Sequence, residues 1–268
     1  MSTCPSCFKG VAFTETPKGH IDAELDGAYV APNDVPSTRA VIVLTDIFGI
    51  DMPNPKVLAD RYAKELGCDV YVPDFFAGKP PVKPEVVKSP ERVGERMGWW
   101  ERLMFLLFLL PYIPAMISQR PAVTDERLRQ FLAKLQAKKG YEKLGAIGFC
   151  YGGSMAIRFG ATNAFSTLAI CHPGKHEKED FAAIKVPCSW NCAQEDFYFT
   201  DQMRLEAEAE FVDRKGKANE VPYEFKIYNG TTHGFAARPN LSIPEVKEAF
   251  EACQNQVVQW LKETLIQI

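Results

Sequence analysis

The sequence predicts an α/β fold, with a mostly parallel central sheet and helices on both faces, in a single domain over residues 1–268. Two apolar runs, at residues 40–45 and 69–73, have the composition of parallel strands buried on both faces. Between them, residues 53–66 carry apolar side chains at helical spacing and end at Gly67, a common helix terminator. A strand, a helix and a strand joined by short links form a βαβ unit, in which the strands run parallel.

The remaining elements continue this alternation. Residues 1–39 are predicted to be a lead-in with one or two edge strands, and residues 74–120 an excursion that covers the active site. Further strands are expected at 143–149, 167–171, 186–191 and 223–228, and helices at 124–138, 152–160, 200–215 and 244–268.

The most apolar stretch, residues 99–117, raises the question of a membrane helix. Residues 103–119 are 17 uncharged positions, whereas a spanning helix needs about 20 apolar residues, and Pro111 and Pro114 interrupt the run. We therefore expect a broken helix that packs over the core or lines a pocket.

Composition restricts the classes of function. Hydrophobic residues make up 46% and charged residues 24% of the chain, as in ordinary globular proteins, and a net charge of −3 offers no basic surface to nucleic acid or membrane. The first residues lack the basic and apolar regions of a secretory signal, which predicts a cytoplasmic protein with mostly buried thiols. Cys4 and Cys7 form a C-x-x-C pair, but no second ligand pair follows, so we expect neither metal nor cofactor.

A G-x-C-x-G motif centred on Cys150 connects the strand at 143–149 to the helix after it. The pattern is that of a nucleophile elbow with cysteine in place of serine. A nucleophile on so sharp a turn has strained backbone, and the positions two before and two after it must be nearly free of side chain. Gly148 and Gly152 satisfy that requirement.

A cysteine nucleophile needs a histidine to accept its proton, and the chain has four. We expect His20, in the lead-in, and His176, in a charged stretch, to be solvated. His172 follows a strand end and is an alternative. His233 is the strongest candidate, because it lies in a loop directly after the last predicted strand.

A carboxylate should orient this histidine. Glu195 and Asp196 follow the penultimate strand, and the order cysteine, acid, histidine is that of α/β-hydrolases. We favour Asp196 for its shorter side chain, with Glu195 as the alternative. The predicted oxyanion donors are the backbone N–H groups of Tyr151, after the nucleophile, and Ile47, in the loop after an earlier central strand.

Asp46, next to Ile47 in that loop, is expected to lie close to Cys150. A carboxylate beside a thiol disfavours the thiolate and raises the pKa of the thiol.

Together these blocks resemble the dienelactone hydrolase family, cysteine α/β-hydrolases that open the lactone of carboxymethylenebutenolides. The matching segments are 45–49, 70–74, 148–153, 193–196 and 233–238. The N-terminal segment and residues 233–246 are most similar to the fungal and yeast branch. The resemblance implies an α/β-hydrolase fold, a triad of Cys150, His233 and Asp196, and an acyl-cysteine intermediate.

The resemblance also implies roles outside the triad. Asp46 stands where bacterial members have a glutamate that keeps the resting thiol protonated, which implies a thiol-gating role. Family members bind the substrate carboxylate through arginines, for which Arg238 and either Arg92 or Arg96 are the candidates.

The leading prediction is a carboxylic ester hydrolase of small lactones, esters or thioesters. One alternative is a secondary-metabolite or detoxifying esterase with a larger apolar pocket, lined in part by Trp99. Another is a non-catalytic, redox-sensitive thiol protein, and a third is a membrane-attached protein anchored by residues 103–117. We expect a small-molecule partner, no nucleic acid and no membrane, and a monomer or homodimer.

Overall fold

The computed structural model describes residues 12–83, 90–95 and 98–267, so Cys4, Cys7 and Arg96 lie outside the described part. The strands are β1 (His20–Asp22), β2 (Ala28–Ala31), β3 (Arg39–Leu44), β4 (Asp69–Val72), β5 (Lys143–Phe149), β6 (Thr167–Cys171), β7 (Cys188–Glu195) and β8 (Tyr223–Thr232). They form one sheet in the order β1-β2-β4-β3-β5-β6-β7-β8. The strands β3 to β8 pair with one another in parallel. At one edge of the sheet, β2 pairs with β4 and β1 pairs with β2, both antiparallel.

The helices are α1 (Asn54–Leu66), α2 (Trp99–Leu109), α3 (Ile113–Ser118), α4 (Pro121–Lys139), α5 (Tyr151–Gly160), α6 (Lys178–Ala183), α7 (Asp201–Val212) and α8 (Pro244–Leu261). Short 3₁₀ turns occupy Ala23–Leu25, Gly49–Asp51 and Leu110–Tyr112, and a π-helical turn, Lys262–Ile266, follows α8.

Alternate residues of β3 show how the helices cover both faces of the sheet. Val41 and Val43 pack in a cluster with apolar side chains of α1 and α8, whereas Ile42 and Leu44 pack with those of α4 to α7. All four side chains are fully buried. The predicted α/β-hydrolase fold, with its mostly parallel sheet and helices on both faces, is confirmed.

The strands β7 and β8 run further than the sequence indicates. They pair from Cys188 with Tyr223 to Glu195 with Thr232, with an irregularity between Ala193 and Glu195. The polar residues at their ends hide this extension from a hydrophobicity pattern. Consequently Asp196 and His233 each follow directly after a strand, at the carboxyl edge of the sheet.

The apolar segment forms a broken helix, as its prolines predict, because α2 ends at Leu109 and α3 begins at Ile113. Of the two expected placements, packing over the core is wrong for the described side chains, and lining a pocket stays a prediction. Its exposed apolar residues are Trp99, Trp100, Leu103, Met104, Leu106, Leu107, Leu110, Ile113, Met116 and Ile117. Apart from the 3₁₀ turn that joins them, α2 and α3 make only sparse contact with the other described elements, which leaves these side chains uncovered. Within the described ranges, every helix falls short of the length and apolarity needed to cross a bilayer.

Candidate active site

Cys150 occupies the turn between β5 and α5 in a strained conformation, with φ 50° and ψ −110°. The two glycines make the turn possible. A Cβ on Gly148 would lie 2.3 Å from the carbonyl oxygen of Gly152, and one on Gly152 would lie 2.1 Å from that of Leu44. The spacing of the motif therefore follows from sterics. Cys150 itself is largely buried, with 8% of its surface exposed.

The elbow lies directly against the loop that follows β3. The N–H of Gly152 donates to the carbonyl oxygen of Thr45 at 2.9 Å, so the loop that carries Ile47 is bonded to the first turn of α5. Among the described residues, the N–H groups of Ile47 and Tyr151 donate to no acceptor. The N–H of Tyr151 is the first of α5, and an uncommitted N–H group at a helix start carries partial positive charge.

His233 contacts the carboxylate of Asp196. Its Nδ1 lies 2.9 Å from Oδ1 and 2.8 Å from Oδ2 of that residue. The N–H groups of Tyr198 and Phe199 also donate to Oδ1, at 2.8 and 3.1 Å. The Asp196 side chain is 1% exposed. The carboxylate thus has a fixed position from which it can orient the imidazole.

Glu195, the alternative acid, has a different partner. It is exposed, and its Oε2 accepts a hydrogen bond of 2.9 Å from the N–H of Gly94. The side chain is therefore directed to the segment at 90–95, and of the two adjacent acids Asp196 is the one on the histidine.

The electrostatics of the pair favour a charged histidine. Burial by itself lowers the pKa of His233, but a Cys150 thiolate and the Asp196 carboxylate raise it to about 10. Burial raises the pKa of Asp196, yet the charge and hydrogen bond of His233 hold it below its usual value. The Nε2 atom of His233 is buried without a hydrogen bond of full geometry to a described residue, although the Cys150 side chain interacts with the ring. Such contacts are commonly loose before substrate binds.

Asp46 is held by two partners other than the thiol. Its Oδ1 accepts from the N–H of Phe48 at 3.0 Å, and its Oδ2 accepts from Nε of Arg238 at 2.9 Å. The guanidinium of Arg238 also stacks over the Phe48 ring, 4.3 Å from its centroid. Thiol gating by Asp46 and binding of a substrate carboxylate by Arg238 therefore stay predictions. For either role, the ion pair between Asp46 and Arg238 has to open or has to take part as a unit.

A cavity of about 390 Å³ opens beside the histidine. Its lining includes Asp196, Phe197, Thr232, His233, Pro90 and Glu95. Residues 90–95 border it as a strap. Thr232 Oγ1 donates to the carbonyl oxygen of Pro90 at 2.6 Å, and Asn240 Nδ2 donates to Glu91 Oε2 at 2.6 Å.

The other predicted binding residues lie less close to this cavity. Arg92 is exposed on the strap and is not part of the lining. Trp99 is 76% exposed and packs edge-to-face on Trp100, with ring centroids 5.4 Å apart. Their roles in substrate binding stay predictions, as does that of Arg96 outside the described residues.

The histidines divide differently from the expectation. His20 is exposed, as predicted, but the expectation for His176 is wrong. His176 is buried against Phe181 and Phe199, and its Nδ1 bonds to the carbonyl oxygen of Gly174 at 2.7 Å. Phe181 of α6 and Phe199, after β7, cover the imidazole, so the charged neighbours in the sequence did not indicate exposure.

Two aromatic residues at the site were not identified from the sequence. Phe197 and Tyr198 pack on the His233 ring, at centroid distances of 4.9 and 5.2 Å. Phe197 is 61% exposed and lines the cavity, and Tyr198 is 44% exposed. Their place directly after Asp196 was the available signal, since that loop has to lie over the histidine.

The sheet, the cysteine elbow and the histidine–carboxylate pair define an α/β-hydrolase. The chain belongs to the dienelactone hydrolase family, whose model matches residues 25–265, and it is a hydrolase that acts on esters. It is 29% identical to the hydrolase tropI of Talaromyces stipitatus, covering 98% of both chains. It is 26% identical to the carboxymethylenebutenolidase homolog of Homo sapiens, covering 88% of this chain and 86% of the other.

Among solved structures, the dienelactone hydrolase-like promiscuous phosphotriesterase P91 from metagenomic libraries has a similar fold. Its TM-score is 0.62 at 18% identity, over 92% of this chain and 96% of the other.

Proposed function

We propose that the chain hydrolyses a small lactone, ester or thioester through an acyl-cysteine intermediate on Cys150. The observation that carries the proposal is the position of His233, whose Nδ1 is fixed by buried Asp196 and whose ring interacts with Cys150. Membership of the dienelactone hydrolase family supports the reaction class.

The geometry supports a two-step reaction. The Cys150 thiolate attacks the carbonyl carbon, and the electron pair moves to the carbonyl oxygen, which the N–H groups of Tyr151 and Ile47 stabilise. The bond to the leaving group then breaks, and the leaving alkoxide takes the proton from His233. In the second step His233 accepts a proton from water as the water attacks the thioester, and the Cys150 thiolate departs with the acid released.

The pair of Asp46 and Arg238 suggests how the thiol is controlled. In this proposal a substrate carboxylate competes with Asp46 for the Arg238 guanidinium, since both are anions that bind an arginine fork. Asp46 is the proposed gate of Cys150, since a carboxylate brought beside a thiol makes the thiolate less favourable. Arg92, exposed on the strap, is the second candidate for the substrate carboxylate.

A second candidate is an esterase for larger apolar acyl groups. The observation that favours it is the exposed Phe197 ring at the wall of the cavity beside His233. An aromatic wall provides apolar area for an acyl or leaving group that a carboxylate-selective site would not need. The remaining alternative is a non-catalytic protein with a redox-sensitive thiol, and it applies if the protein hydrolyses no ester.

The test is a panel of lactones, alkyl esters and aryl esters with the wild type and Cys150→Ala. We expect turnover by the wild type to fall to background in the variant. Unchanged hydrolysis in Cys150→Ala contradicts the proposal. A wild type without turnover, combined with the loss of two thiols after peroxide treatment, supports the redox alternative instead.

A further inference from the structure

His172 is a buried histidine that the proposed reaction does not use. It follows β6 with a positive φ of 34°, and its side chain is fully buried. Within the described ranges neither of its ring nitrogens has a hydrogen-bond partner. Strained backbone and two unpaired polar atoms both destabilise a fold. A residue that only filled space here would be better replaced by an apolar one.

The contacts of the imidazole are with rings. It packs edge-to-face on His233, with centroids 5.1 Å apart and an interplanar angle of 72°. Phe235 and Phe149 lie at 5.8 and 6.1 Å. Because its nitrogens make no hydrogen bond to a described residue, His172 contributes to the site through the packing of its ring.

The backbone holds this ring in a fixed relation to the nucleophile. The N–H of Cys150 donates to the carbonyl oxygen of Cys171 at 3.2 Å, and the N–H of Gly174 donates to the carbonyl oxygen of Cys150 at 2.8 Å. The N–H of His172 donates to the carbonyl oxygen of Asn191 at 2.9 Å. The loop that carries His172 is thus bonded to the elbow on both sides.

Burial, together with the charged groups around it, favours the neutral form of His172. Burial lowers its pKa well below the usual value, and the charges of His233 and Arg238 lower it further, against the opposing effect of Asp196. A neutral ring can stay against a protonated His233 without repelling it.

We propose that His172 is a positioning residue whose ring holds the His233 imidazole in the plane that faces Asp196 on one side and Cys150 on the other. This role rests on the proposed function. Phe197 and Tyr198, also packed on His233, are both partly open to solvent, whereas His172 is fully buried, so His172 is the buried support of the ring.

The test compares His172→Ala, His172→Phe and His176→Ala. His172→Ala should lower kcat about tenfold or more with KM within about twofold, because a slightly misplaced group loses rate rather than ground-state binding. In the same variant the NMR pKa of His233 should fall, since the imidazole leaves its place between Asp196 and Cys150. His172→Phe restores a ring and should recover most of kcat, with a higher Tm. His176→Ala removes another buried histidine, one without a ring contact to His233, and should leave kcat unchanged.

Two results would overturn the positioning role. One is a kcat and a His233 pKa that stay at wild-type values in His172→Ala. The other is a loss of kcat in His172→Ala matched by an equal loss in His176→Ala, which indicates general destabilisation. If Cys150→Ala keeps full turnover, the proposed function fails instead, and the NMR pKa of His233 still reports on positioning.

Discussion

The Nδ1 atom of His233 lies 2.8 Å from Oδ2 of Asp196, whose side chain is almost completely buried, whereas neighbouring Glu195 is exposed and bonds to Gly94. This difference predicts that matched substitutions of the two adjacent acids have different effects on kcat. Asp196→Asn should lower kcat by about 10²–10⁴-fold, because the imidazole loses the anion that orients and charges it. Glu195→Gln should stay within about threefold of the wild type. A larger loss in Glu195→Gln than in Asp196→Asn would reverse the assignment of the acid.

The raised pKa of His233 predicts a titration that can be followed by NMR. The imidazole should titrate near pH 10 in the wild type, and at lower pH in Cys150→Ala, which lacks the thiolate charge. A value near the ordinary 6.5 in the wild type, or the same value in both proteins, contradicts this electrostatic picture.

The same shift predicts how stability depends on pH. The folded-state pKa is above the unfolded value of about 6.5, so the native state binds the proton more tightly. The contribution of His233 to the free energy of unfolding is therefore fully present below pH 6.5 and is lost as pH rises through about 10. Urea unfolding of the wild type and Cys150→Ala at several pH values should show a steeper fall for the wild type between these limits. If the free energy of unfolding falls equally with pH in both proteins, the contribution assigned to His233 is contradicted.

Thiol gating by Asp46 predicts the reactivity of Cys150 toward iodoacetamide. Alkylation should be slower in the wild type than in Asp46→Ala, because removing a carboxylate near the thiol favours the reactive thiolate. Asp125→Ala is the control, because Asp125 is a similarly buried carboxylate paired with an arginine, Arg158, at 2.7 Å. Equal alkylation rates in the wild type and Asp46→Ala would exclude gating.

The close approach at the elbow predicts an asymmetry between two glycines of α5. Gly152→Ala should destabilise the fold by about 3–5 kcal/mol, because the new Cβ meets the Leu44 carbonyl oxygen at 2.1 Å. Gly160→Ala meets only side-chain ends, of Leu168 and Ile184, at 2.9 Å or more, and should cost less. Thermal unfolding of both variants measures the difference. Equal Tm values would contradict the steric account of the motif.

Much of this arrangement could be predicted from sequence because the physical demands are local. The glycines around Cys150 are required by the turn, and the buried runs at β3 and β5 are visible as apolar segments. Asp196 and His233 follow strand ends, and parallel strands bring such ends to one edge of the sheet. The candidate nucleophile, acid and base were accessible from patterns of a few residues each.

The remaining features depend on contacts between distant segments. The pairing of Asp46 with Arg238 joins residues 192 positions apart, and no local pattern reports it. The burial of His176 arises from its contacts with Phe181 and Phe199, while its sequence neighbours are charged. The exposure of the apolar side chains of α2 and α3 depends on how these helices are oriented relative to the core. Composition alone does not specify that orientation.

The central claim, an acyl intermediate on Cys150, is tested most directly by intact-protein and peptide mass spectrometry after rapid mixing with an aryl ester and an acid quench. The wild type should gain the mass of one acyl group, located on the peptide that contains Cys150, and Cys150→Ala should gain none. Turnover of the ester without an adduct on that peptide in the wild type, or the same adduct in Cys150→Ala, would contradict the account.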